Sequence, residues 1–156
     1  MQTTDRTISP MKKIVVDSSV IVKWVNSQNE KNIAGSDRLL EDCKNGAIKL
    51  FAPELAKYEV GNALWKKGLD TRSAKISLGT IFAGPVEFVR LEEPEALRTM
   101  EISTGAKMTY YDASFVALTE SLGAILVTDN LKHQGKFRKV KTISLADYDN
   151  DEALIK

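Results

Sequence analysis

The chain predicts a three-layer α/β domain built around a mainly parallel sheet, and three observations lead there. Short apolar runs that end in polar residues, Lys13-Ile14-Val15-Val16 and Ala124 to Thr128, have the pattern of strands buried on both faces. They alternate with longer segments of helical period, so the order reads strand, helices, strand, helices, repeated. The chain has 156 residues, 43% of them apolar, and no internal repeat or low-complexity linker, which suits one compact domain.

The first strand is the run ending at Val16. Ser18 or Ser19 then caps a helix containing Val20, Ile21, Trp24 and Val25. A second helix is expected from Asp37 to Lys44, with Leu39, Leu40 and Cys43 on one face and a stop near Asn45-Gly46. Ile48 to Ala52 reads as a strand. Pro53 suits a helix start, with Leu55, Tyr58, Asn62 and Trp65 recurring at helical spacing until Gly68. Ser73 to Phe82 is a further helix, closed by Gly84-Pro85, and Val86 to Leu91 alternates like a strand at a sheet edge. Pro94 opens a helix through Leu97, Met100 and Ile102 that Gly105 stops. Tyr110 to Leu122 is helical and Gly123 ends it. After the strand at Ala124 to Thr128, Lys139 to Leu145 offers a last strand.

Boundaries follow from composition. Residues 1–10 are polar and read as a disordered extension or a cloning remnant, without the apolar core of a signal peptide. The domain is expected to span 11–148, leaving a tail at 149–156. Nothing approaches the roughly 18 apolar residues of a membrane span. Cys43 stands alone, which excludes an intramolecular disulfide or a cysteine zinc cage and fits a reducing cytoplasm. A net charge of +1 excludes a strongly basic nucleic-acid coat, but Lys132, Lys136, Arg138, Lys139 and Lys141 form a basic run, and Lys66, Lys67 and Arg72 a second group. Each run is either a solvated face or a phosphate track, for which Lys132, Lys136 and Arg138 are the candidates.

Four carboxylate-bearing stretches lie where a strand ends or within a helix: Asp17, Glu59, Asp112, and Asp129 with Asn130. Open parallel sheets place their sites at the carboxyl ends of strands, where Asp17 and Asp129 both emerge. Each acid also has a plain structural explanation. Asp17 can cap the following helix, Thr109 and Asp112 have capping-box spacing, Asp129-Asn130 is a common turn pair, and Glu59 can be a solvated helix residue. Jointly the plain explanation weakens. Glu59 lies among apolar neighbours, a poor setting for an unpaired charge, and Asn62 lies three residues on along the same helix. A cluster of acids repels itself, and a divalent cation is the economical way to hold it.

Other chemistries fit less well. Gly-x-Gly-x-x-Gly and the P-loop pattern are absent. His133 is the single histidine and lies in a polar loop. Cys43, Trp24 and Trp65 occupy helical-period positions that suit core packing. A haloacid-dehalogenase-like phosphatase would need an acid where Ser19 stands, and a phospho-acceptor receiver domain would need a paired lysine for which Lys132 is a weak candidate.

The four stretches, in this order, resemble the PIN-domain family and in particular its VapC-type toxin ribonucleases, from Met11 to about Tyr148. Val15-Val16-Asp17-Ser18-Ser19 looks like the family's opening strand and first acid. Glu59-Val60-Gly61-Asn62-Ala63-Leu64 is similar to its Glu-x-x-Asn-x-Leu helix, and Tyr111-Asp112-Ala113-Ser114-Phe115 is the most specific match, followed by Leu126-Val127-Thr128. The resemblance implies an α/β/α PIN-like fold. It implies a metal-dependent endoribonuclease cutting RNA to leave a 5′-phosphate and a 3′-hydroxyl, as the toxin of a toxin–antitoxin pair. By the same resemblance Asp17 and Asp112 are Mg²⁺ or Mn²⁺ ligands, Glu59 is a ligand or orients metal-bound water, and Ser19, Asn62 and Thr128 support them. A homodimer, an antitoxin partner and a cytoplasmic location follow as expectations. One departure stands: the family's last acid usually lies two residues after the threonine, where this chain has Asn130, with Asp129 one residue early. Whether Asp129 or Asn130 fills that place, and whether one ion or two bind, is open at this point. A processing nuclease that is no toxin, and a degenerate PIN domain that only binds RNA or protein, are the alternatives.

Overall fold

The computed structural model describes residues 11–150. The expected extension at 1–10 and residues 151–156 lie outside them. Strands β1 (Lys12–Val16), β2 (Ile48–Pro53), β3 (Glu87–Val89), β4 (Ile125–Thr128) and β5 (Thr142–Ser144) form one five-stranded sheet in the order β3-β2-β1-β4-β5. All four pairings are parallel. Ile14, Val15, Val16, Leu126 and Val127 are fully buried, as two covered faces require.

Helices flank the sheet: α1 (Ser18–Ile21), α2 (Ile33–Lys44), α3 (Leu55–Lys66), α4 (Thr71–Ala83), α5 (Glu93–Ala106), α6 (Tyr110–Leu122), α7 (Leu131–Gln134) and α8 (Leu145–Asn150). The predicted α6 is found at its predicted bounds. Seven consecutive residues, Ala113 to Thr119, are buried there because α6 lies against β1 and β2 and is itself covered by α5. Gly123 ends it at φ +60, a left-handed position that a side chain would strain.

The chain departs from the sequence reading in several places. The helix after β1 is capped by Asp17, not by Ser18 or Ser19, and after Ile21 it tightens into a 3₁₀ turn, Val22–Trp24. α2 starts at Ile33, four residues before Asp37. Pro53 closes β2, and the helix opens at Leu55. On α3 the buried residues are Ala56, Val60 and Leu64, so Trp65, read as core, faces solvent at 75% exposure, as does Tyr58 at 78%. Leu97 and Met100 are likewise exposed, and α5 buries Thr99 and Ile102. The last strand is short, Thr142–Ser144, and α7 and α8 were not anticipated. α8 runs two residues past the boundary expected at 148. Among the described residues, no helix is long and apolar enough to cross a membrane.

β1 continues outward through β2 to β3, while β4 lies on its other side with β5 beyond. The order therefore reverses between β1 and β4, and a crevice opens beyond their carboxyl ends.

Candidate active site

Asp17 follows β1 directly, its backbone N–H still donating to Val127 O of β4 at 3.1 Å. Its carboxylate is held at both ends. Oδ2 accepts from the Ser19 hydroxyl at 2.6 Å and the Ser19 N–H at 3.2 Å, and Oδ1 accepts from Gln134 Nε2 at 3.0 Å. The residue is only 8% exposed. Glu59 reaches the same crevice from the middle of α3, where Ser18 Oγ donates to its Oε1 at 2.9 Å. Asp112 comes from the first turn of α6, which Thr109 caps by accepting the Asp112 N–H at 3.1 Å. The capping geometry and the placement of the carboxylate are compatible: the backbone of Asp112 serves the cap while its side chain lines the crevice.

Asp17, Glu59 and Asp112 line one cleft of about 390 Å³ together with Ser18, Ser19, Asn62, Lys66 and Asn130. Its electrostatics are visible in Glu59. Burial pushes that carboxyl above its ordinary range, the Ser18 hydrogen bond opposes this in part, and the charges of Asp17 and Asp112 push it further up. Glu59 thus shares a space with two further carboxylates whose charge disfavours its ionisation. Oxygen-only donors of this kind suit a hard divalent cation. Among the described residues, however, no three His, Cys, Asp or Glu side chains are drawn close enough to form a finished metal cage.

Of the two candidates for the fourth position, Asn130 lines the cleft and Asp129 does not. Asp129 is turned aside to Lys23, whose Nζ lies 2.6 Å from its Oδ2, and Asn32 donates to its Oδ1 at 3.3 Å. Lys23 also meets Glu30 at 2.8 Å, and Glu30 meets Lys67 at 3.0 Å. Burial would lower the pKa of Lys23, but its hydrogen bonds to Asp129 and Glu30, with their charges, raise it overall. Asn130 takes the cleft-facing place, its N–H fixed by Thr128 Oγ1 at 2.8 Å. Thr128, expected to support the site, thus acts through the turn. The sequence reading missed Lys23 and Gln134. A lysine among the apolar residues that follow the first acid was the available signal for one; nothing local marked the other.

None of the residues of the basic run lines the cleft. Lys136 and Arg138 line a separate shallow pocket with Arg98 and Phe137, Lys136 donates to Lys107 O at 3.1 Å, and Lys132 is exposed on α7. Lys66, from the second basic group, is the cation that lines the acidic cleft. Another cleft of about 340 Å³, lined mainly by apolar residues such as Leu55, Val89 and Leu118, shares no residue with the acidic one.

A sequence profile described as the PIN domain matches residues 14–141. A curated protein of Pyrobaculum aerophilum, exonuclease VapC9, is 34% identical over 86 residues, which are 53% of this chain and 62% of that protein; the chain thus spans less than two thirds of that relative. Among solved structures, VapBC2 of Rickettsia felis bound to a DNA fragment from their promoter has a TM-score of 0.66 at 15% identity, over 85% of this chain and 98% of that one. A toxin–antitoxin complex from Klebsiella pneumoniae has a TM-score of 0.59 at 14% identity, over 85% and 97%. At such identities the two structures speak for the fold alone.

Proposed function

The chain belongs to the PIN domain family, and from that premise we propose that it is a Mg²⁺- or Mn²⁺-dependent endoribonuclease acting as the toxin of a toxin–antitoxin pair. One observation carries this reading: Asp17, Glu59 and Asp112, separated by most of the chain, line a single cleft at the strand ends, and Glu59 is held above its ordinary pKa by burial and by the other two. Asp17, Asp112 and Glu59 would hold the cation. Such an ion, when bound, offsets the charge of the scissile phosphodiester and favours attack by water.

The protein's own groups then have distinct tasks. Ser19 and Gln134 fix the plane of the Asp17 carboxylate. Ser18 engages Glu59 Oε1, leaving Oε2 to take the cation or to orient the attacking water. Lys66 at the cleft supplies positive charge for a phosphate, and Asn62 and Asn130 offer neutral amide donors. Tyr58, Trp65, Ile76 and Phe82 leave an apolar surface on α3 and α4 that suits a homodimer or an antitoxin. The cytoplasm, where RNA is found and Cys43 stays reduced, is its proposed place of action.

The deciding experiment incubates the purified chain with a labelled linear RNA and a labelled circular RNA, with Mn²⁺ or with chelator. Cleavage of both substrates with Mn²⁺ only, abolished by Asp17→Asn, supports the reading. Cleavage of the linear RNA alone would make it an exonuclease, the activity in the name of its Pyrobaculum relative. The clamping of Asp129 on Lys23, with Asn130 in its place, favours a second reading as a non-catalytic RNA- or protein-binding module. RNA binding without cleavage, in Mn²⁺ and in a parallel Mg²⁺ incubation, would establish that instead. Growth arrest on induced expression separates a toxin from a processing nuclease.

A further inference from the structure

Gln134 ends α7 and is fully buried, 0% exposed. Its Nε2 donates to Asp17 Oδ1 at 3.0 Å, a contact spanning 117 positions of sequence. Its Oε1 is buried without a hydrogen-bond partner among the described residues. A half-satisfied buried amide is a poor choice for packing alone, since a methionine or leucine would fill similar space without stranding an acceptor. The backbone around it is held firmly. Gln134 N–H donates to Asn130 O at 3.1 Å, and Gly135 N–H to Leu131 O at 2.8 Å. A Cβ at position 135 would lie 2.6 Å from that same Leu131 oxygen, so the residue after Gln134 has no room for a side chain. The turn that carries Gln134 inward is therefore specified by its neighbours.

The arrangement at Asp17 gives this bond a purpose. Ser19 grips Oδ2 and Gln134 grips Oδ1, so the carboxylate cannot rotate about its Cβ–Cγ bond without breaking one contact. A neutral donor suits the task. A lysine or arginine there would also fix Asp17, but it would cancel the negative charge that a cation needs. We propose that Gln134 is a positioning residue of the acidic site: its amide holds Asp17 in the orientation in which it engages a divalent cation, while touching neither the cation nor RNA. This rests on the reading of the cleft as a divalent-cation site.

The test compares Gln134→Met and Gln134→Leu with wild type and with Asp17→Asn. Mn²⁺ binding is measured by calorimetry, melting in chelator, and kcat and KM on RNA in saturating Mn²⁺. The expected result is that at least one Gln134 variant melts in chelator close to wild type or above it. That variant should bind Mn²⁺ about 10- to 100-fold more weakly. Its kcat should fall while KM for RNA stays unchanged, because a fully buried side chain offers RNA nothing. Unaltered Mn²⁺ affinity in a folded variant, with Asp17→Asn losing it, overturns the role of Gln134 and leaves the metal reading standing. If wild type itself binds no Mn²⁺, the metal reading fails and this proposal with it. If neither variant folds, the amide is structural and the proposal is also overturned.

Discussion

At the scale of single residues, charge pairing separates two kinds of acid. Asp17, Glu59 and Asp112 share a cleft in which Lys66 is the one cationic lining residue among the described residues, whereas Asp129 and Glu30 are matched to the buried Lys23. Opposite consequences follow. Mn²⁺ at millimolar concentration should raise the melting temperature of wild type by binding the native state, and Asp112→Asn should reduce that gain while the metal-free protein becomes no less stable. Thermal melts with and without Mn²⁺ check this, and an unchanged wild-type curve would count heavily against the site. Lys23→Met should do the reverse. It leaves Glu30 to Lys67 and Asp129 to Asn32 beside an apolar stem, and a loss of about 1–3 kcal/mol in urea unfolding is expected. A smaller loss would mean that Asp129 finds a new partner in the cleft, and Mn²⁺ affinity would then rise.

The same cluster sets a pH dependence. Burial pushes the Glu30 carboxyl up, but the hydrogen bonds and charges of Lys23 and Lys67 outweigh it, and the net pKa lies below its ordinary 4.5. A carboxylate depressed in the folded state stabilises fully above its unfolded pKa and loses that contribution as pH falls through the folded one. Stability should therefore drop below about pH 4.5 in a step that Glu30→Gln flattens, measured as urea midpoints across an acid series. A wild-type and a variant curve of identical shape would remove Glu30 from the acid limb.

At the scale of elements, the two basic groups can be told apart. Lys66 projects from α3 into the acidic cleft, whereas Lys136 and Arg138 border a pocket beside α5 and Lys132 lies on the outside of α7. An anionic backbone must pass positive charge on its way to a carboxylate cluster. Lys66→Ala should raise KM for RNA and reduce the salt dependence of binding by about one unit of slope, leaving Mn²⁺ affinity unchanged. The triple replacement of Lys132, Lys136 and Arg138 by Ala should do less at the same salt. If the triple variant loses more, the RNA track leaves the cleft towards α7, and the sequence-based expectation is right.

For the whole molecule, the exposed apolar residues of α3 and α4 are the feature that folding alone leaves unexplained. Tyr58 and Trp65 lie seven residues apart, hence on one side of α3, at 78% and 75% exposure; Ile76 and Phe82 on α4 are each 63% exposed. Replacing Tyr58 and Trp65 together by Ser should convert a dimer to a monomer in light scattering without lowering the melting temperature of the monomeric unit. A wild type that is monomeric at every accessible concentration would leave this surface to a different protein.

The sequence by itself determined the strands β1, β2 and β4, the helix α6 to the residue, and the set of acids at the strand ends. Those signals are local: an apolar run buried on both faces, a Thr-x-x-Asp start and a glycine stop each act within a few residues. It could not decide which face of α3 is buried, because Leu55, Tyr58 and Trp65 satisfy a helical period as well as Ala56, Val60 and Leu64 do. Only α1, α4 and the sheet, packed against α3, select the second set. Nor could it choose between Asp129 and Asn130. That choice depends on Lys23, more than a hundred residues away in sequence, whose burial leaves its ammonium no partner better than a carboxylate. Gln134 belongs with it, since its meaning arises only where α7 and the end of β1 meet. Tertiary structure decided these cases for one physical reason. A buried charge or amide takes its role from the partner that folding supplies, and local periodicity carries no record of that partner.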